Sequence, residues 1–386
     1  MEPPLKPSPD ASEPAHSGYV RRLLLAALLL YVFLVAVNGL GAGFKALGGG
    51  LLDGFFRATA NPFLGLFVGL LATSLVQSSS VTTSLIVAMV AAPENPLPLA
   101  NAVPMIMGAN IGTTVTNTVV ALGHLARRDE FRRAFAVATC HDFFNWFAVL
   151  ILLPLEMTTG YLRSAANWLA DHLPDVGGLD YESPFILAIQ AGAAPVRIAA
   201  SWLAGGTWKA LVESAVFGAT IYVSLLLLVR VMRSLLRRRM EGAVTNALDR
   251  RPVSAMGIGL VATATIQSSS ITTALLVPLA GAGLITLPQA FPVTIGANIG
   301  TTVTALLASL AVTGVNARAG VAIALVHLLF NVSALLIIYP LPRIRNIPLS
   351  AARRLAATAS RRRWLALVYV IGLFYLVPML LAVLSR

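Results

Sequence analysis

Two segments of the chain place three consecutive serines directly after a glutamine inside a long apolar stretch. They read QSSSVTTSLIV at 77–87 and QSSSITTALLV at 267–277. Hydroxyl groups in apolar surroundings need partners, so a polar group is expected to meet each triad. Serine also caps helix N-termini, which predicts helices that begin at the triads and favour an anion. Packing between membrane helices is the alternative use of such serines.

A second repeated motif, GANIGTTVT, occurs at 108–116 and again, without a change, at 296–304. Its glycines form a G-x-x-x-G pattern, which predicts close approach of two helices. The other polar side chains carry neutral oxygens of the kind that a small cation accepts. Beside unwound backbone carbonyls, such oxygens could form a sodium site. The candidate sodium ligands are Asn110, Thr113, Thr114, Asn298, Thr301 and Thr302.

The pattern H-x-x-F-N follows each GANIGTTVT segment, with His141 and Asn145 in the first copy and His327 and Asn331 in the second. A membrane histidine can titrate, but hydrogen-bonded packing is its commoner use. We therefore interpret both histidines as packing residues whose partners are the asparagines of the same pattern. Asp142 occurs only in the first copy, and an intramembrane charge marks function and needs a partner. A nearby arginine is one candidate for that partner.

Little in the chain suggests covalent chemistry. Cys140 is the only cysteine, which excludes an intramolecular disulfide and favours a small buried apolar residue. No carboxylate pair, cysteine-histidine arrangement or metal cluster falls on one helical face. The sequence therefore predicts a protein that is not an enzyme, with no catalytic residues, no cofactor and sodium as its only metal.

The three motifs recur in the same order, which indicates two copies of one module. The offsets between the copies are 267 − 77 = 190, 296 − 108 = 188 and 327 − 141 = 186. A repeat of about 100 residues with such short insertions defines a structural unit. Several arginines follow the first GANIGTTVT segment at 127–133, whereas one arginine follows the second. This asymmetry predicts that the copies are inverted in the membrane, as in secondary transporters.

Composition places the chain in a membrane. Only 11% of the 386 residues are charged and 57% are hydrophobic. Apolar runs such as 210–229 and 364–384 can cross a hydrocarbon layer of roughly 30 Å. The net charge of +12 comes from arginine clusters between these runs, with no aromatic or groove-reading pattern, so we predict no nucleic-acid partner. Cytoplasmic loops are rich in arginine, so the clusters predict a multi-pass protein of the cell inner membrane or plasma membrane.

The predicted fold class is an all-α membrane protein with two inverted repeats. The apolar runs beside each triad are short for a full span, so each repeat is expected to contain a re-entrant helical hairpin with QSSS at its tip. Before the second repeat we place a disordered tail at 1–18, a first transmembrane helix and loop at 19–52, repeat 1 at 53–156, an external segment at 157–208 and a transmembrane helix at 209–232. A basic cytoplasmic linker at 233–251 leads to repeat 2 at 252–342, a basic interfacial segment at 343–363 and a last transmembrane helix at 364–386.

Both QSSS motifs, both GANIGTT motifs and the segment FRRAFAVATCHDFFNWFAVLILLPLE at 131–156 resemble the type II sodium-dependent phosphate cotransporters over residues 61–342. The chain is similar to a bacterial-type member, because its external segment has none of the cysteines and glycosylation sites of animal members. The resemblance implies sodium-coupled symport of inorganic phosphate into the cell by alternating access, with sodium as the coupling ion. Carried over by position, the phosphate-binding residues are Gln77, Ser78, Ser79, Ser80, Gln267, Ser268, Ser269 and Ser270.

Two other functions stay open on the residues alone. The same serine triads could bind another tetrahedral or carboxylate anion in a sodium-coupled transporter, which competition by phosphate would reveal. A channel or a non-transporting membrane scaffold is the alternative from a different class. A scaffold is disfavoured because it does not need two buried serine triads.

Overall fold

The computed structural model describes residues 19–36 with short gaps, 61–91, 96–173, 184–203, scattered positions within 208–231, 252–266, 268–311 and 316–384. Within these residues every regular element is a helix. Five stretches of them are long and apolar enough to cross a membrane, namely Leu99–Leu122, Arg128–Thr159, Leu287–Ser309, Ala317–Ile338 and Trp364–Leu381. The prediction of an all-α membrane protein is confirmed.

The two copies have the same order of helices. In and after the first copy these are α1 (Pro62–Val76), α2 (Ser79–Val90), α3 (Leu99–Gly112), α4 (Val115–Leu122), α5 (Arg128–Thr159), α6 (Tyr161–His172) and α7 (Pro184–Leu203). The second copy contains α8 (Pro252–Ile266), α9 (Ser269–Ala274), α10 (Leu276–Gly281), α11 (Leu287–Ala311) and α12 (Ala317–Ile338). It is followed by α13 (Pro342–Arg361), α14 (Trp364–Ile371), a π-helical turn (Gly372–Leu376) and α15 (Val377–Leu384).

The first QSSS segment separates two short helices. Asn61 caps α1 by accepting a hydrogen bond from the Phe63 amide, and Pro62 takes the first helical position, where an amide would have no partner. Gln77 ends α1 in the left-handed conformation, with φ +56°. With 15 and 12 residues, α1 and α2 are only about 22 Å and about 18 Å long. Each is therefore shorter than the hydrocarbon layer of about 30 Å.

The two copies differ in where their helices break. In the second copy Pro278 has no amide to donate to the Ala274 carbonyl, and the helix that begins at Ser269 is interrupted at Leu275. In the first copy the GANIGTTVT segment itself breaks, at Thr113 and Thr114 between α3 and α4. The identical segment in the second copy lies inside the continuous helix α11. Thr113 and Thr114 keep right-handed helical dihedral angles, so the helix is irregular there but is not unwound, and Leu99–Leu122 still forms one span.

Glycines build the same helix pair in each copy. A Cβ atom at Gly108 would overlap the Leu66 carbonyl on α1, and one at Gly296 would overlap the Met256 carbonyl on α8. The two partners differ by 256 − 66 = 190 positions, the offset of the QSSS motifs. Only glycine allows backbones to approach so closely. The predicted close approach is confirmed, and it fixes the helix before each triad, α1 or α8, against the GANIGTTVT span of its own copy.

The two GANIGTTVT spans meet at one end of the molecule. His124, which follows α4, lies beside Gly281 at the end of α10, because a Cβ there would come within 2.8 Å of the imidazole. Arg133 on α5 donates hydrogen bonds of 2.7–3.3 Å to the carbonyls of Ala280 and Gly281. The span α11 begins close by at Leu287. The first span therefore ends where the second begins.

Candidate functional site

Gln77 is held by the protein on three sides. Its Nε2 donates to the Ser74 carbonyl at 2.6 Å and lies 3.3 Å from the Tyr375 hydroxyl, and its Oε1 accepts from Thr116 at 2.7 Å. These contacts stabilise a left-handed conformation that residues other than glycine seldom adopt. Gln77 therefore positions the serines that follow it, since both of its amide hydrogens have acceptors within the protein. Its counterpart, Gln267, lies outside the described residues.

The first serine of each triad is a helix cap. Ser78 accepts a hydrogen bond from the Val81 amide at 3.3 Å, and Ser268 accepts one from the Ile271 amide at 3.4 Å. The prediction that helices begin at both triads is confirmed. A helix offers no internal partner to its first amides, so helix starts such as those of α2 and α9 are suited to an anion.

Unpartnered hydroxyl groups occur at or close in sequence to these helix starts. The Ser269 hydroxyl is buried and has no hydrogen-bond partner in the described part of the chain, and the same holds for Thr73 and Ser74, just before Gln77. Ser79 is also buried, with 4% of its surface exposed. Buried hydroxyls in proteins are nearly always hydrogen-bonded, so such a group needs an explanation. Hydroxyls in this arrangement can donate to an anion held at the helix starts.

Each triad helix touches the opposite copy. Ser80 lies 3.4 Å from Thr304, the last residue of the second GANIGTTVT segment. Thr273 on α9 donates to the side chain of Asn117 on α4 at 3.0 Å. Each triad helix therefore packs against the span of the opposite copy that contains or follows its GANIGTTVT segment.

A buried histidine-asparagine network links the copies reciprocally. His141 lies 2.5 Å from the Asn298 side chain of the second copy, and His327 lies 3.3 Å from the Asn110 side chain of the first. Each histidine thus contacts the equivalent asparagine of the other copy, which is the pattern expected of two units related by an approximate two-fold axis. Both histidines are completely buried and hydrogen-bonded, as the packing interpretation predicts.

Of the predicted partners of these histidines, Asn331 donates to the His327 carbonyl at 3.0 Å, whereas Asn145 does not bond His141. Asn145 instead donates to the Asn110 carbonyl at 2.9 Å and accepts from the Asn298 side chain at 2.8 Å. Asn331 donates to the Asn110 side chain at 3.1 Å. The histidine side chains meet asparagines of the facing copy directly. The network therefore joins the copies and also contains bonds within each copy, such as those of Asn145 to Asn110 and of Asn331 to His327.

The candidate sodium ligands divide into two groups. Asn110 and Asn298 come together in the central network. The threonine hydroxyls donate to carbonyls of their own helix at equivalent positions, Thr113 to Ala109 at 2.9 Å and Thr301 to Ala297 at 3.0 Å. Donation leaves the hydroxyl oxygens able to accept or coordinate. Thr114 and Thr302 behave alike, with bonds of 2.7 and 2.6 Å to their own helices.

The last transmembrane segment adds residues that the repeated motifs do not reveal. Tyr369 donates to the fully buried carboxylate of Asp142 at 2.8 Å. The other carboxylate oxygen has no partner in the described residues, so the arginine that the sequence left as one candidate does not pair with it there. Tyr375, in the π-helical turn, reaches the Ser74 carbonyl at 3.2 Å and lies beside Gln77. Neither tyrosine recurs between copies, so self-comparison of the sequence gave no signal for them.

A helical membrane protein that holds a duplicated, buried polar site between two copies of one module has the architecture of secondary transporters. The family model described as Na+/Pi-cotransporter matches residues 32–160 and 221–340. The chain belongs to this family.

Curated relatives agree with the family. The chain is 34% identical over 446 residues to sodium-dependent phosphate transport protein 2A of Rattus norvegicus. This alignment covers 97% of this chain and 70% of the relative. It is 33% identical over 448 residues to sodium-dependent phosphate transport protein 2B of Pongo abelii, which covers 93% of this chain and 65% of the relative. The chain thus spans about two thirds of the length of these relatives. No solved structure matches it.

Proposed function

We propose that the protein is a sodium-coupled symporter of inorganic phosphate and that both serine triads bind the same phosphate ion. The main support is the pair of helix starts at Ser79 and Ser269, each buried and each on a helix that contacts the opposite copy. Hydroxyls and free amides at a helix start suit a phosphate group. The names of the relatives support phosphate as the anion and sodium as the coupling ion.

Electrostatics provides a reason for sodium coupling. The side chains that contact the two triad helices, Thr304 and Asn117, are neutral. One helix start supplies only about half of an elementary charge, so two of them do not balance a divalent anion. A sodium ion bound near Asn110 and Asn298 would supply the missing charge. Phosphate and sodium would then each bind better when the other is present.

Alternating access follows from an inverted arrangement of the copies. The first GANIGTTVT span ends beside Gly281, where the second span begins, which supports opposite directions in the membrane. The short helices on either side of each triad support re-entrant hairpins. Inverted repeats of this kind let one unit rock against the other around a fixed central site. The histidine-asparagine network is the contact across which such a movement would occur.

The inverted topology can be tested with single cysteines. Cys140 is buried, so Cys140→Ala provides a cysteine-free background. We expect His172→Cys and Arg362→Cys, both at exposed positions, to label from opposite sides of the membrane. The basic residues around Arg362 place it inside, whereas α6 lies in the segment expected outside. Labelling of both cysteines by an impermeant maleimide from one side would contradict the inverted arrangement.

Transport itself is tested in sealed liposomes. With sodium outside and labelled phosphate as the substrate, we expect uptake that stops when potassium replaces sodium. Excess sulfate or citrate should compete weakly, which separates phosphate transport from transport of another small anion. Uptake that is equal in potassium would exclude sodium coupling, and no uptake by well-inserted protein would favour a scaffold.

A further inference from the structure

A cavity of about 540 Å³ lies away from the serine triads, where α5, the connection between α10 and α11, and α13 come together. The distance from Ser269 to Gly281 along α9 and α10 is about 18 Å, at 1.5 Å per residue. The cavity therefore lies beyond the end of α10, well away from the second triad. Its volume falls in the range of small-molecule sites, about 300–1,000 Å³.

Three arginines line this cavity, namely Arg132, Arg133 and Arg353. The described lining residues include no carboxylate. The closest ion pair is that of Arg132 with Asp129, at 3.9 Å, and both side chains are more than half exposed, so the pair is weak. Arg133 is anchored by the carbonyls at the end of α10. The cavity thus holds positive charge that no acidic side chain in its wall neutralises.

The start of α11 adds to this positive field. Thr286 begins the helix, and its amide donates to the Gln289 side chain at 2.7 Å, the backbone half of a capping box. Thr286, Leu287 and Pro288 all line the cavity, so the positive end of the 25-residue helix faces it. A helix start and three guanidinium groups converge on one opening.

Much of the remaining lining of the cavity is apolar. Ala136 and Val137 on α5, Ile285 before α11, and Ala356 and Ala357 on α13 form it. A small hydrated anion gains nothing from such a surface, whereas an amphiphile can bury its apolar part there. The site therefore offers positively charged groups that can bind an anionic head and an apolar surface that can cover a hydrocarbon chain.

We propose that this cavity binds the phosphate group of an anionic phospholipid from the surrounding leaflet. Guanidinium groups bind phosphate oxygens through paired, charge-assisted hydrogen bonds. Basic pockets between membrane helices on the cytoplasmic side are suited to such headgroups. Because α13 packs along α5 and contributes Arg353, a bound lipid would also tie the basic helix to the start of the first-copy helix that carries His141.

Two neighbouring arginines provide a matched test. Arg353 and Arg354 are both exposed on α13, and only Arg353 lines the cavity. Binding of dioctanoyl phosphatidic acid to the purified full chain would be measured by native mass spectrometry. We expect Arg353→Gln to weaken binding about five- to tenfold, the loss of one partly exposed charge-assisted contact, and Arg354→Gln to weaken it less than twofold.

Further binding measurements, with other ligands and with a variant of the apolar lining, identify the ligand. Dioctanoyl phosphatidylcholine and inorganic phosphate should each bind at least about tenfold more weakly than phosphatidic acid at the Arg353-dependent site. Ala357→Phe should fill the apolar part of the cavity and weaken phosphatidic acid binding without a change of charge. This variant still tests the proposal if Arg353→Gln does not fold. Equal effects of the two arginine variants would overturn the proposal, because they would indicate diffuse charge. Inorganic phosphate that binds as tightly as the lipid would assign the cavity to free phosphate instead.

Discussion

Replacement of Gly259 by alanine is expected to destabilise the second copy severely. A Cβ at this position would overlap the Val293 carbonyl on α11, with the carbonyl carbon at 2.9 Å and the Ala297 amide nitrogen at 3.0 Å. These are backbone atoms, so no side chain can move aside, and α8 must shift away from α11. Overpacking costs about 1–3 kcal/mol and occasionally more, and a clash with backbone falls at the upper end of that range. Because α8 leads into the second triad, the shift should also displace Ser268 and its neighbours.

Gly257 provides the matched control on the same helix. A Cβ there meets nothing within 4 Å, and the residue is exposed. Alanine favours helix over glycine by about 0.5–1 kcal/mol, so Gly257→Ala should leave stability unchanged or slightly higher. Thermal unfolding in detergent should show a decrease of about 5–10 °C for Gly259→Ala alone. Similar melting temperatures for the two variants would contradict the close contact between α8 and α11.

The features that could be predicted from sequence are those that repeat. The glycine spacing in GANIGTTVT correctly predicted two close helix pairs, because a missing Cβ has a direct steric meaning that needs no knowledge of the fold. The QSSS segments correctly predicted helix starts at Ser79 and Ser269, because a serine cap acts through its own local backbone. The close helix pairs and the helix starts could both be predicted because each depends on the local chemistry of its own motif.

The contacts between the copies could not be predicted in the same way. Self-comparison shows that His141 and Asn298 belong to equivalent motifs, but it contains no information on which copy faces which. Their contact depends on how the spans cross, so pairing this histidine within its own motif was the wrong choice. Tyr369 and Tyr375 were missed for a related reason, since they lie on a helix outside the repeat and reach Asp142 and Gln77 only in the folded bundle.

Replacement by alanine of either Ser79, in the first copy, or Ser269, in the second copy, is expected to weaken phosphate transport. Both hydroxyls are buried, and that of Ser269 has no protein partner among the described residues, so its loss should cost the fold little. A hydrogen bond to a charged ligand contributes about 1.5–3 kcal/mol, which corresponds to roughly a ten- to hundredfold loss of affinity. Apparent phosphate affinity would be measured as sodium-dependent uptake in liposomes.

Ser309 is the control for this experiment. It is a buried serine on α11 whose hydroxyl bonds its own helix at 2.7 Å, so Ser309→Ala removes a buried hydroxyl away from the triads. Its phosphate affinity should stay within about twofold of the unmodified protein, since no ligand contact is lost. A comparable loss in Ser309→Ala would indicate a general effect of removing buried hydroxyls.

The comparison between the two triads decides whether they share one ion. If one phosphate lies between both helix starts, each alanine variant loses a contact to the same ligand, and both must raise the phosphate concentration needed for half-maximal uptake. Sodium should then also bind more weakly at a fixed phosphate concentration, because coupling between two ligands is reciprocal. If Ser269→Ala leaves affinity and rate unchanged while Ser79→Ala abolishes uptake, only the first copy binds phosphate. The second triad would then serve helix packing, the alternative that its sequence also allows.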